Sequence, residues 1–217
     1  MDYKAARQIM VDSQIRPNDV ANPHLVSALL SVPREKFVPK PRRSVAYSEL
    51  EIETSEGRAL WIPRDFAKLL KAVEPASSDI ALVIGAGAGY ETAVLARLVE
   101  TAIGLEDTEA LVTATGERLA EFGNDRAVIV EGALDAGLAA QGPFDVIFVN
   151  GMVQSVPESW TDQLSELGRL GVVVQTGAQL GEARVYTRSN GIVSYRKAFE
   201  ASPPRFAMFD SAASFSF

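Results

Sequence analysis

Two hydrophobic rhythms divide this chain. From Asp79 onward, short apolar runs alternate with stretches at helical spacing. The runs 80–84, 102–105, 127–131, 145–149 and 169–175 predict strands, and the segments near 89–98, 107–122 and 158–166 predict helices. Such alternation predicts parallel strands joined by crossover helices, an α/β doubly wound sheet. The rhythm then changes to that of a hairpin. Segments 183–189 and 192–198 flank Asn190-Gly191, a dipeptide suited to the type I′ turn, so the sheet is expected to end in an antiparallel pair.

The first part of the chain is patterned differently. Asp2 can cap a helix running from Tyr3 to Ile15, which Arg16-Pro17 stops because the residue before proline avoids helix. Asn22-Pro23 sets a cap and a first-turn proline for a short helix through Leu30. Ser31 to Gly57 holds four prolines or glycines among mixed charges and reads as irregular structure. Pro63 opens an amphipathic helix with Phe66, Leu69, Leu70 and Val73 on one face. The expected organisation is a single domain, 1–217, with an N-terminal helical cap over 1–58 and a core over 59–217.

The junction after the first core strand carries the candidate chemistry. Ile80–Ile84 runs straight into Gly85-Ala86-Gly87-Ala88-Gly89, followed by helical spacing from Thr92 to Val99. Glycines let the backbone turn tightly and approach a ligand closely, with the helix amides facing it. Glu106, 21 residues beyond Gly85, stands where a carboxylate can accept hydrogen bonds from both ribose hydroxyls. A dinucleotide fingerprint would place a third glycine at Tyr90. The pattern here is G-x-G-x-G, the form found in S-adenosylmethionine-dependent methyltransferases. The plain alternative is a tight strand-to-helix turn.

Composition narrows the classes. Hydrophobic residues at 47% indicate a globular chain, and a net charge of −7 argues against nucleic acid as the main partner. No run reaches the length of a membrane span, and Met1-Asp-Tyr-Lys-Ala lacks a signal-peptide pattern, so a cytoplasmic protein is expected. Zero cysteines exclude thiolate chemistry. With a single histidine, His24, no metal cluster or histidine-dependent triad is expected.

With these residues in hand, the chain resembles the protein-L-isoaspartate O-methyltransferase family in its bacterial form. The resemblance rests on Met10-Val-Asp-Ser-Gln-Ile-Arg-Pro17, Val32-Pro-Arg-Glu-Lys-Phe-Val-Pro39 and the turn from Gly85 to Tyr90. It extends to Gly104-Leu-Glu106, to Gly142-Pro-Phe-Asp145 through Asn150-Gly-Met-Val-Gln-Ser-Val-Pro157, and to Gln163–Leu170. It implies a Rossmann-like methyltransferase sheet, S-adenosyl-L-methionine as cofactor, and methyl transfer to isoaspartyl carboxylates of damaged proteins or peptides. By that resemblance the cofactor would meet Gly85, Ala86, Gly87, Gly89, Tyr90, Glu106, Asp107, Ala133, Leu134 and Asn150. The substrate region would hold Arg58, Leu60, Trp61 and Arg64, and no metal is implied.

Three positions depart from the family pattern. Val83 stands where an acidic residue usually supports the cationic end of the cofactor, a charge-assisted bond of about 1.5–3 kcal/mol. Ala133 replaces an aspartate that would accept from the adenine amino group, about 0.5–1.5 kcal/mol. Gly57, Pro63 and Ala67 keep the frame of the substrate block, which places Trp61 at the position of the family's serine. An indole either fills the pocket or reshapes it for a flatter, more apolar substrate. Weakened cofactor affinity follows. Two alternatives therefore stay open: a methyltransferase with another substrate, and a catalytically silent binding protein. Arg58 and Arg64 can pair bidentately with a substrate carboxylate or form a solvated face. His24 reads as a surface or packing residue, and Tyr90 as covering either the cofactor or the sheet.

Overall fold

The computed structural model describes residues 1–55, 57–123, 125–178, 180–206 and 209. Helix α1 (Tyr3–Met10) is capped as its sequence predicts, with the Asp2 carboxylate accepting from the Ala5 amide at 3.0 Å. It does not continue regularly to Ile15. Val11–Ile15 forms a wider π-helical turn, which directs both Val11 and Ile15 into the core. Helix α2 (Pro23–Ser31) follows, capped by Asn22 on the amides of His24 and Leu25. The stretch expected to be irregular ends in a strand, β1 (Ile52–Ser55), which pairs with β2 (Arg58–Leu60) just beyond it in a small antiparallel hairpin. Helix α3 (Pro63–Val73) buries Phe66, Ala67, Leu69, Leu70 and Val73.

The core alternates as the pattern predicts: β3 (Ile80–Ile84), α4 (Tyr90–Leu95), β4 (Thr101–Glu106), α5 (Glu109–Ala120), β5 (Ala127–Glu131), β6 (Phe144–Val153), α6 (Glu158–Asp162), β7 (Leu164–Gln175), β8 (Gly181–Ser189) and β9 (Ile192–Ala201). The seven-stranded sheet runs β5-β4-β3-β6-β7-β8-β9, parallel through β7 and antiparallel over the last two pairs. Asn190 and Gly191 both take positive φ, the geometry that their hairpin turn requires. The helix expected over 158–166 stops at Asp162. The Gln163 carbonyl accepts from the Phe144 amide at 2.8 Å, Leu164 pairs with Phe144, and Leu167 turns at φ 65°. Strand pairing overrides helical spacing there.

Side chains alternate across the sheet with the period of two that strands impose. Ala81 and Val83 on β3 face the helices of the N-terminal half, together with Phe66, Tyr90 and Phe148. Leu82 and Ile84 face the other layer, with Val149, Trp160 and Phe206. The strand order reverses at β3, so a crevice opens at the carboxyl ends of β3, β4 and β6, the usual ligand position in such sheets. Among the described residues no helix is long and apolar enough to cross a membrane.

Close packing beneath the glycine turn fixes this crevice. A Cβ placed on Gly104 of β4 would lie 2.3 Å from Ile129 Cδ1 and 2.8 Å from Ala86 Cβ. Gly104→Ala is therefore expected to destabilise the fold by about 1–3 kcal/mol, the usual cost of overpacking, as a lowered urea midpoint with unchanged slope.

Candidate active site

The turn Gly85–Gly89 stands at the carboxyl end of β3, and Gly85, Gly87 and Gly89 all adopt positive φ (70°, 56° and 92°). Only glycine takes such angles freely, so the alternation of glycine and alanine is a backbone requirement. The amides of Gly85 and Ala86 donate to Leu105 O, at 3.0 and 3.1 Å, which ties the turn to β4. Asn150, on β6, donates from Nδ2 to Gly85 O at 2.9 Å. Glycine turn, Glu106 at the end of β4 and Asn150 on β6 thus converge, as the sequence places them.

What occupies the convergence was not expected. Glu106 is fully buried and bound by Arg58: Nε donates to Oε1 at 3.0 Å and Oε2 at 3.2 Å, and Nη2 donates to Oε2 at 2.8 Å. Nη2 also donates to Asp107 Oδ1 at 3.0 Å. The Gly87 amide donates to Glu106 Oε1 at 2.5 Å. Burial opposes the charge of Arg58, but Glu106 and Asp107 outweigh it and hold the guanidinium pKa above its ordinary value. The carboxylate expected to grip a ribose therefore has both oxygens taken by the chain itself. Arg58, read as either substrate-binding or solvated, is held here as the buried partner of Glu106, because a buried acid at a strand end demands a buried cation.

An aromatic ring fills the rest. Phe206, 3% exposed, crosses the crevice from the C-terminal segment. Cβ atoms placed on Gly85 and Gly151 would lie 2.2 and 3.0 Å from its ring, which therefore rests against bare backbone on both sides. The Arg58 guanidinium sits 5.3 Å from the ring centroid. In this arrangement an adenosyl group does not fit: the space beside the glycines holds Phe206, and Glu106 holds Arg58.

The remaining candidates divide. Ala86 is buried in the turn, Asp107 is partly exposed beside Arg58, and Ala133 is exposed. Leu134 packs into the core with Trp160, whose Nε1 donates to the Leu134 carbonyl at 2.7 Å. Tyr90, expected to cover either the cofactor or the sheet, points away from the crevice into the helical layer on the sheet, against Phe37 and Phe66 and 4.9 Å beneath the Arg34 guanidinium. Leu60 and Trp61 are buried core residues, Trp61 packing 5.8 Å from Phe148 with its Nε1 unpartnered. Of the two outcomes for the indole, it fills the place. Arg64 is partly exposed and pairs with Asp65 at 2.8 Å. His24 is exposed at the rim of a cavity of about 610 Å³, also lined by Lys71 and Arg97 and remote from the glycine turn. A second cavity, of about 370 Å³, meets the turn only at Gly87 and Ala88, beside Thr115 and Arg118.

Two further residues reach the crevice without a local sequence signal. Phe206 belongs to the segment after β9, in which Phe209 packs 5.2 Å from Trp160; positions 207, 208 and 210–217 lie outside the described residues. Glu91, in the first turn of α4, is completely buried, with Oε2 accepting from Asn150 at 3.4 Å and Oε1 unpartnered. Desolvation pushes its pKa up to about 7 against the lowering influence of Arg34 and Asn150. Val83 offers no carboxylate beneath the turn. The buried one beside it comes from this helix.

Known proteins share this plan. A model of the family described as protein-L-isoaspartate(D-aspartate) O-methyltransferase (PCMT) matches residues 5–201. The protein-L-isoaspartate O-methyltransferase of Roseiflexus castenholzii is 33% identical over 191 residues, 88% of this chain and 86% of that protein. Protein-L-isoaspartate O-methyltransferase 2 of Pelobacter propionicus is 32% identical over 190 residues, 88% and 84% respectively. Among solved structures, a Plasmodium falciparum protein described as a putative protein-L-isoaspartate O-methyltransferase, in complex with S-adenosyl-L-homocysteine, superposes with a TM-score of 0.78. It is 19% identical and covers 95% of this chain and 98% of its own. A further protein-L-isoaspartate O-methyltransferase gives 0.79 at 23% identity, over 94% of this chain and 65% of that one. Both show the shared fold.

Proposed function

This chain belongs to the protein-L-isoaspartate(D-aspartate) O-methyltransferase family, and from that premise we propose that it transfers the methyl group of S-adenosyl-L-methionine to isoaspartyl carboxylates of protein or peptide substrates. The observation that carries this reading is the convergence of the Gly85–Gly89 turn, Glu106 and Asn150 at the point where the strand order reverses. We assign the cofactor to that crevice, with Gly85, Ala86, Gly87, Gly89, Glu106, Asp107, Ala133, Leu134 and Asn150 around it. Its outer side, by the hairpin that carries Arg58, is assigned to the substrate. S-adenosyl-L-methionine supplies an electrophilic methyl group when bound. The chain's part is alignment, and a carboxylate acceptor is already ionised at neutral pH, so no general base is required. A cytoplasmic location belongs to the same proposal.

The full chain, incubated with radiolabelled S-adenosyl-L-methionine, is expected to form base-labile methyl ester on an isoaspartyl peptide and none on the aspartyl isomer. Absence of label from both peptides at millimolar cofactor would overturn the assignment. A second reading, favoured by the loss of the serine hydroxyl at the place that Trp61 fills, keeps the chemistry and changes the acceptor. Label on small aromatic carboxylates in place of the peptide would select it.

A further inference from the structure

We infer that Arg58 and Phe206 form a latch across the cofactor crevice, so that this chain admits an adenosyl ligand only by releasing its own C-terminal segment. The inference rests on the crevice being the cofactor site, as proposed above.

Each half of the latch takes a feature that the ligand would need. Phe206 covers the bare backbone of Gly85 and Gly151, while Arg58 saturates Glu106 and stacks over the same ring. The two halves come from distant parts of the chain, the β1–β2 hairpin and the segment after β9, and neither belongs to the seven-stranded sheet. Opening therefore leaves the sheet's hydrogen bonds intact.

The described part of this segment docks on β6 through its backbone. A one-residue parallel bridge joins Met152 to Arg205, with the Met152 amide donating to Pro204 O at 2.8 Å and the Phe206 amide donating to Met152 O at 2.9 Å. Phe209 adds an edge contact on Trp160, at 5.2 Å between centroids. A segment docked on a strand by a one-residue bridge opens at lower free energy than the strand it lies on. A ring and a guanidinium that fit the crevice this closely compete with any ligand for it, and the apparent affinity falls by the fraction of open molecules.

Calorimetric titration of S-adenosyl-L-homocysteine into the full wild-type chain and into Phe206→Ala tests the latch. The variant is expected to bind about tenfold tighter or more, because removing the ring raises the open fraction. Phe209→Ala, which loosens the same segment from outside the crevice, serves if Phe206→Ala does not fold, with a smaller gain in the same direction. Amide hydrogen exchange on the wild type reads the movement without any variant. Saturating ligand is expected to speed exchange at Met152 and Phe206 while slowing it at Gly87. Equal affinity of wild type and variant, or binding with Met152 and Phe206 still protected, overturns the latch and leaves the proposed function standing. No heat from any of these chains at millimolar ligand overturns both.

Discussion

Arg58→Ala is expected to destabilise the protein by about 3–5 kcal/mol, the range found when one partner of a buried ion pair is removed. Glu106 has no exposed surface, and its two strongest contacts are charge-assisted bonds from Arg58. Without them the carboxylate keeps only the amides of Gly87 and Asp107, at 2.5 and 3.3 Å, too few for a buried negative charge. At this chain length, a loss of that size lowers the thermal midpoint by roughly 10 °C. The double variant Arg58→Ala/Glu106→Gln separates charge from packing. It is expected to recover more than about 1 kcal/mol of the single-variant loss, because no unpaired charge is left behind. Urea denaturation of the four chains gives the cycle. A single-variant loss below about 1 kcal/mol would show that water reaches Glu106 readily, and with it that the crevice is open in solution.

Much of the fold was legible because its strongest signals are local. Ile80–Ile84 and Phe144–Val149 are apolar runs long enough to be strands, and Asn190-Gly191 names its own turn. The β1–β2 hairpin escaped because strands of four and three residues carry too little periodicity. The helix at Glu158 was read too long because Leu164 and Leu167 keep helical spacing, while the partner that claims Leu164, Phe144, lies twenty positions earlier. The site divided along the same line. Spacing from Gly85 put Glu106 at the end of the strand beside the turn, where it lies. What binds Glu106 is an arginine 48 residues away in sequence, across a fold that had first to be assembled. Sequence held one clue: a glutamate ending a strand buried on both faces requires a cation, and Arg58 precedes the Trp61 block. For Phe206 no comparable clue existed, since an aromatic near a chain end gives no sign of the crevice that it enters.

Glu91 leads to the second large effect, one of pH. Its carboxyl is completely buried and retains an unpartnered oxygen, and its pKa stands at about 7 in the folded chain against 4.5 for a free glutamate side chain. A carboxyl whose folded pKa is raised holds its proton more tightly in the native state. Its contribution is therefore unaffected below about 4.5, and native stability falls as pH climbs from there through 7. Complete ionisation costs about 3 kcal/mol, on the basis of 1.36 kcal/mol for each tenfold change in proton affinity. Arg34 limits the loss by its charge and Asn150 by its hydrogen bond, but Oε1 has no donor. Glu51, also raised by desolvation and by Asp65, adds in the same direction from a more exposed position. Asp19 and Glu182, lowered mainly by bonds from Lys71 and Arg184, act the opposite way and only in more acid solution. Urea midpoints for the wild type are thus expected to decline between pH 5 and pH 8, and Glu91→Gln, which presents a neutral group of the same shape, to flatten most of that decline. A Glu91→Gln profile parallel to the wild type would assign the dependence to other groups and leave Glu91 ionised in the native protein. The flattened profile would mean instead that below pH 7 the glycine turn rests against a protonated carboxyl, neutral on its inner side while Arg58 and Glu106 carry the charge on the other.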